Sequence, residues 1–255
     1  MEHQSDIAYG NHFLMGYLGR DLSHTGLGLK FDFIVVHESG HEWFGNNITS
    51  KDIADMWVHE SFTNYSESLF TAYYWGKAAG QQYVNGIREN IENDRPIQGA
   101  YGVNQEGSGD MYYKGANMIN NIRNAINNDT LFREILRGLN KTFYHQTVTG
   151  KQIEQYINEK SGINFDKVYE QYLTTTQIPT FEIKFSKDNK YVSYRYSNCV
   201  KGFDMPMVLK SEDAQVQLHP STEWQKQSLA SAAQANLFNP IAIEYQYYLS
   251  CKEVH

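Results

Sequence analysis

His37-Glu38-Ser39-Gly40-His41, followed by Trp57-Val58-His59-Glu60-Ser61-Phe62, is the stretch from which the fold can be read. Residues four apart on a helix share one face about 6 Å apart along its axis, so the imidazoles of His37 and His41 can grip one metal. Neutral imidazole nitrogens suit Zn²⁺ at about 2.0–2.1 Å, and Glu38 on the adjoining flank can reach a water held by that metal. A catalytic zinc takes a third protein ligand and keeps one position open. Glu60 stands 19 residues after His41, a spacing that allows a helix, a turn and a second helix. Asn46 to Asp52 supplies the polar turn, and a helix resuming near Ala54 would fold back to bring Glu60 over the histidines. Zinc lowers the pKa of a bound water to about 7, which makes Glu38 a general base and amide hydrolysis the expected chemistry. His59 points about 100° away from Glu60 on a helix and is not expected to compete as a ligand. Glu67, seven residues after Glu60, lies on the same face; orienting a histidine and lying on the surface are equal readings for it.

Outward from this segment, 255 residues suffice for one large domain or a medium and a small one. With 22 basic and 29 acidic residues the net charge is −7, spread over an ordinary surface, which favours neither nucleic acid nor an anionic membrane as partner. No apolar run approaches the roughly 18 residues of a membrane span, and Met1 to Gly10 lacks the basic start and apolar stretch of a signal peptide. Cys199 and Cys251 are too few for a disulfide framework, and whether they pair stays open.

From about Leu29 to Tyr172 the apolar residues recur at helical spacing. Thr149 and Gln152 have capping-box spacing, with Gly162 as the stop; Asp129 or Thr130 is expected to cap a helix over Leu131–Tyr144, and Asp110 one over Met111–Ile126 packed beside it. Gly40 in mid-helix costs about 1 kcal/mol against Ala, so close packing of another element is its expected reason. Beyond Pro179 the pattern alternates over 181–185, 191–196, 214–218 and 241–249, with a turn at 187–190. The simplest account is a small antiparallel sheet or sandwich of roughly 75 residues.

The run from Val36 to Phe62, with Trp43-Phe44-Gly45-Asn46, Thr49, Asp52 and Trp57 around the histidines and Glu60, resembles the extended zinc signature of zinc aminopeptidases of the aminopeptidase N type, which are gluzincins. The metzincin alternative needs Gly and His where this chain has Phe44 and Asn47. Tyr112-Tyr113-Lys114-Gly115-Ala116 is similar to that family's Tyr-x-Lys-Gly segment, which implies that Tyr112 donates a hydrogen bond to the oxyanion. Met1-Glu2-His3 resembles the end of its Gly-x-Met-Glu-Asn exopeptidase motif, with His3 in place of Asn, which implies that Glu2 binds the substrate's free α-ammonium.

The resemblance thus implies an α+β chain: a mainly helical, thermolysin-like zinc catalytic domain over residues 1–178, its N-terminal part missing, followed by a small antiparallel β-sandwich over 179–255. One Zn²⁺ would be held by His37, His41 and Glu60, with Glu38 and Tyr112 catalytic, Glu2 substrate-binding, and peptides with a free N-terminus as substrates. In that family further domains flank this region, so the chain is expected to be a fragment of a longer enzyme or a truncated relative. A silent zinc-bearing peptide-binding fragment and an endopeptidase with an opened cleft are the alternatives. Asn47, Asn64, Asn128 and Asn140 all head glycosylation triplets, yet two lie inside the zinc signature; this points to a bacterial source, and composition leans towards the periplasm or the exterior.

Overall fold

The fold, a computed structural model, is described over residues 2–254. It begins with a small hairpin, β1 (Glu2–His3) and β2 (Asp6–Ile7), and a long loop leading into helix α1 (Phe33–Gly40). The loop is held by Asn11, fully buried, whose amide donates to the carbonyls of Leu14 and Gly16 and to Asp32. Asp32 in turn caps α1 by accepting from the Val35 amide. A turn then leads to β3 (Ile48–Ser50) and to the central helix α2 (Trp57–Trp75). From Trp57 to Ser68 α2 is buried on almost every face, with Trp57, Val58, Phe62 and Tyr65 in the core and a polar row of Glu60, Ser61, Thr63, Asn64 and Glu67 between helices. Around it pack α3 (Lys77–Gly86), α4 (Tyr113–Ile126), α5 (Asp129–Thr142), β4 (Gln146–Val148), α6 (Gly150–Ser161) and α7 (Asp166–Thr174). β3 and β4 pair in parallel and fasten the start of α2 to the later helices.

The chain continues into β5 (Thr180–Phe185), β6 (Tyr191–Ser197), β7 (Met207–Lys210), β8 (Gln215–Leu218), β9 (Gln225–Ser228), short helices α8 (Ala232–Asn236) and α9 (Pro240–Gln246), and β10 (Ser250–Glu253). The architecture is therefore α+β, a mainly helical region followed by one of strands. One sheet has the order β10-β5-β6-β9, and β7-β8 form a separate hairpin. The pairs β5-β6 and β6-β9 are antiparallel, but β10 lies parallel to β5, so the sheet is mixed.

Several local expectations need correction. The segment 241–249, read as a strand, is helix α9 up to Gln246: Asn239 accepts from the amides of Ile241 and Ala242, and Pro240 sits at the first helical position, so capping chemistry overrides the alternation. Asp110 does not cap α4. It lies in a 3-10 turn over Gly109–Met111 capped by Ser108, and its carboxylate accepts from the amides of Glu92 and Asn93. Likewise Asn128, rather than Asp129 or Thr130, caps α5. The Thr149 capping box is present as read, and α6 ends at Gly162 in the left-handed region. Both cysteines are free thiols.

Candidate active site

Helix α1 supplies the first two groups. His41 follows its last residue but keeps helical dihedrals (φ −66°, ψ −17°), so its ring stays on the face of His37, with ring centroids 5.1 Å apart. Phe33, one turn earlier, stacks on His37 at 5.1 Å. Gly45, at φ +138°, then turns the chain away; a side chain there would be strained and would crowd the His41 carbonyl at 3.2 Å. Helix α2 returns against α1 at Gly40, where a Cβ would meet Ser66 Oγ at 2.7 Å and Thr63 Cγ2 at 3.0 Å, so close packing is the reason for the mid-helix glycine. This approach sets Glu60 Oε2 3.4 Å from Nε2 of both His37 and His41.

The three groups are buried, at 4%, 2% and 6% exposure. Glu60 Oε2 has no hydrogen-bond partner, which for a buried carboxylate oxygen calls for a cation. Four ligands at about 2.0–2.1 Å in a tetrahedron stand about 3.3–3.4 Å apart, the spacing seen from Glu60 to each imidazole. The far ring nitrogens are also occupied. His37 Nδ1 lies 2.7 Å from Glu67 Oε1 and His41 Nδ1 3.0 Å from the Phe44 carbonyl, so both rings direct Nε2 inward. The buried His/His/Glu cluster suits a single Zn²⁺. Without metal the charges pair among themselves: burial opposes a charged His37, but Glu60 and Glu67 outweigh it and raise its pKa. Burial also opposes a charged Glu60, and the two imidazoles hold its pKa down nonetheless.

Oxygen atoms of Glu2 and Glu38 and a nitrogen of His41 also lie within 4.8 Å of one another. Glu38 is buried, whereas Glu2 is exposed on β1, and the hairpin is tied to the end of α1 by the Ser5 amide donating to Glu42 at 2.5 Å. Tyr112 sits where the 3-10 turn meets α4, its ring 5.9 Å from that of His37. Burial first, and then the Glu60 carboxylate that its hydroxyl faces, push its pKa well above the phenol range, so it stays an O–H donor. All six side chains singled out in the sequence therefore gather at one place. His59 does not join them: its Nε2 accepts the Ser50 amide at 2.8 Å.

Glu67 is the group whose part the sequence left open. It is wholly buried and accepts from Asn64 at 2.9 Å and from the Tyr83 hydroxyl at 2.6 Å while holding His37. Its seven-residue offset from Glu60 was the available signal; Tyr83, on another helix, left none. Gly115 completes the frame, since a Cβ there would stand 1.9 Å from Ser61 Oγ, which donates to the Met111 carbonyl beside Tyr112. Helix α4 can thus bring Tyr112 against α2 only without a side chain at residue 115.

The chain carries a buried cluster suited to Zn²⁺, and residues 1–172 match the model of the peptidase family M1 domain. The chain belongs to peptidase family M1. Endoplasmic reticulum aminopeptidase 1 of Mus musculus is 27% identical over 129 residues, which cover 47% of this chain and 14% of that protein. Probable aminopeptidase 1 of Sulfurisphaera tokodaii is 22% identical over 172 residues, covering 63% of this chain and 22% of that one. The chain thus spans less than a quarter of the length of these curated relatives. Among solved structures, aminopeptidase A of Legionella pneumophila, in complex with aspartic acid, shares the fold with a TM-score of 0.62 at 18% identity, over 92% of this chain and 28% of that one.

Proposed function

We propose that the protein is a zinc-dependent aminopeptidase of the aminopeptidase N type, residues 1–178 forming its catalytic unit. His37, His41 and Glu60 hold the metal, which when bound lowers the pKa of water towards 7 and polarises the scissile carbonyl. Glu38 takes a proton from the attacking water and later gives it to the departing amine nitrogen, so the C–N bond breaks as a neutral amine leaves. The Tyr112 hydroxyl donates to the carbonyl oxygen as negative charge develops there, and Glu2 binds the free α-ammonium, limiting cleavage to the first residue. The observation that carries this reading is the approach of Glu2 to Glu38 and His41, an exposed carboxylate beside the buried cluster. An endopeptidase has no use for an anion there, whereas a substrate with a charged N-terminus does.

The test is hydrolysis of unblocked alanyl and leucyl arylamides beside their N-acetylated forms, with zinc-loaded protein and a chelator control. Chelator-sensitive cleavage of the free amines alone is expected. Cleavage of blocked substrates would make it an endopeptidase, and bound zinc with no cleavage would leave a peptide-binding fragment.

A further inference from the structure

A second cavity, of about 690 Å³, opens between α2, α3 and α4 on one side and β7 and α9 on the other. Its size suits a small organic ligand. Its charged lining is Lys77, Arg123 and Lys210 against a single carboxylate, Asp129. In a chain of net charge −7 this concentration of positive charge runs against the overall balance. Asp129 is shared, accepting from Lys77 at 2.6 Å and from Arg123 at 2.9 Å, so the four groups together keep an excess of cations. Lys210 is exposed and spends only a 3.1 Å hydrogen bond on Asn127.

The floor is polar and incompletely satisfied. Arg123 donates to the Tyr65 hydroxyl at 3.1 Å, and Tyr65 donates to Asn120 Oδ1 at 3.3 Å. That relay fixes the Asn120 amide with its oxygen on Tyr65 and leaves its Nδ2 without an acceptor. Ser68, one turn after Tyr65 on the same helix, likewise has an Oγ with no partner. Both side chains are at least 97% buried and lie behind the cavity wall. Three cations against one carboxylate around the cavity favour an anionic occupant. Ala72 and the exposed Ile241 and Tyr245 add apolar walls for the rest of it.

We propose that this cleft binds a small organic molecule carrying an oxyanion, a phosphate or a pair of carboxylates, with Lys77, Arg123 and Lys210 supplying the charge. The site shares no side chain with the metal cluster, and the proposal stands whether or not the protein proves to be an aminopeptidase.

The test is calorimetric titration of the zinc-loaded chain with phenyl phosphate and with phenylsuccinate. Saturable binding of one molecule is expected, weakened at least tenfold by Lys210→Glu and several-fold by Lys77→Gln, with zinc content unchanged in both variants. Either ranking of the two probes supports the site and tells which oxyanion it prefers. Absence of saturable binding, or binding that both variants leave unaltered, as attachment to the zinc would be, overturns the proposal. Lys210 is exposed, so its replacement reads out binding without a folding defect.

Discussion

At the scale of single residues, Glu38 and Glu67 answer different questions. Glu38→Gln keeps the shape of the site but removes the proposed proton carrier, so kcat on free-amine arylamides should fall by about 10²–10⁴ while zinc stoichiometry stays at one. Undiminished turnover would take Glu38 out of its role. Glu67→Gln leaves the three proposed ligands in place and weakens the hold on His37 Nδ1, so zinc affinity, read by competition with a chromogenic chelator, should drop by about 10–100-fold. A variant with lowered Tm and unchanged zinc affinity would make Glu67 a packing residue only. The pairing of His37 with His41 was legible in the sequence because the two, with Glu38 between them, are related by the geometry of one helix turn. The role of Glu67 was not, since it depends on Tyr83 and Asn64 fixing both carboxylate oxygens across helices.

At the scale of elements, close approach decides function. Helix α4 meets α2 at Gly115 and Ser61, near Tyr112 at the cap of α4 and next to Glu60 on α2. Ala is the better helix former by about 1 kcal/mol, yet Gly115→Ala should push the helices apart and destabilise by about 1–3 kcal/mol. Because Tyr112 moves with α4, kcat should fall further than zinc affinity, and equal losses in the two would show that the helices move as one body. Helix boundaries were legible where a cap is local, as at Thr149. They were misread where a side chain serves a distant partner, as Asp110 does, or where alternating residues hide a cap, as Asn239-Pro240 does before α9.

For the whole molecule, the helical and strand-bearing regions are joined by side chains that bond the backbone of residues 244–248. Asn121 both donates to the Tyr248 carbonyl and accepts its amide, Arg88 donates to the Glu244 carbonyl, and Asn124 donates to that of Gln246. This latch should make the chain unfold in one calorimetric transition. Asn121→Ala leaves the part-buried amide of Tyr248 without its acceptor and should cost about 1 kcal/mol while separating two transitions. Two transitions already present in the unsubstituted protein would refute the coupling. The α+β division was legible from the change of period near Pro179. The parallel docking of β10 was not, because strand order across a gap from Thr180 to Ser250 leaves no local mark.

That docking also bears on how the chain is made. Strand β5 emerges from the ribosome directly after the helices, and β6 soon covers one of its edges. Its other edge must wait for β10, 70 residues later by the pairing of Thr180 with Ser250. At about 5–20 residues per second this is an interval of roughly 4–14 s during which Thr180 to Ile183 present unpaired backbone to any passing strand. The nascent chain is therefore most exposed to misassembly after its helices have been synthesised and before β10 arrives.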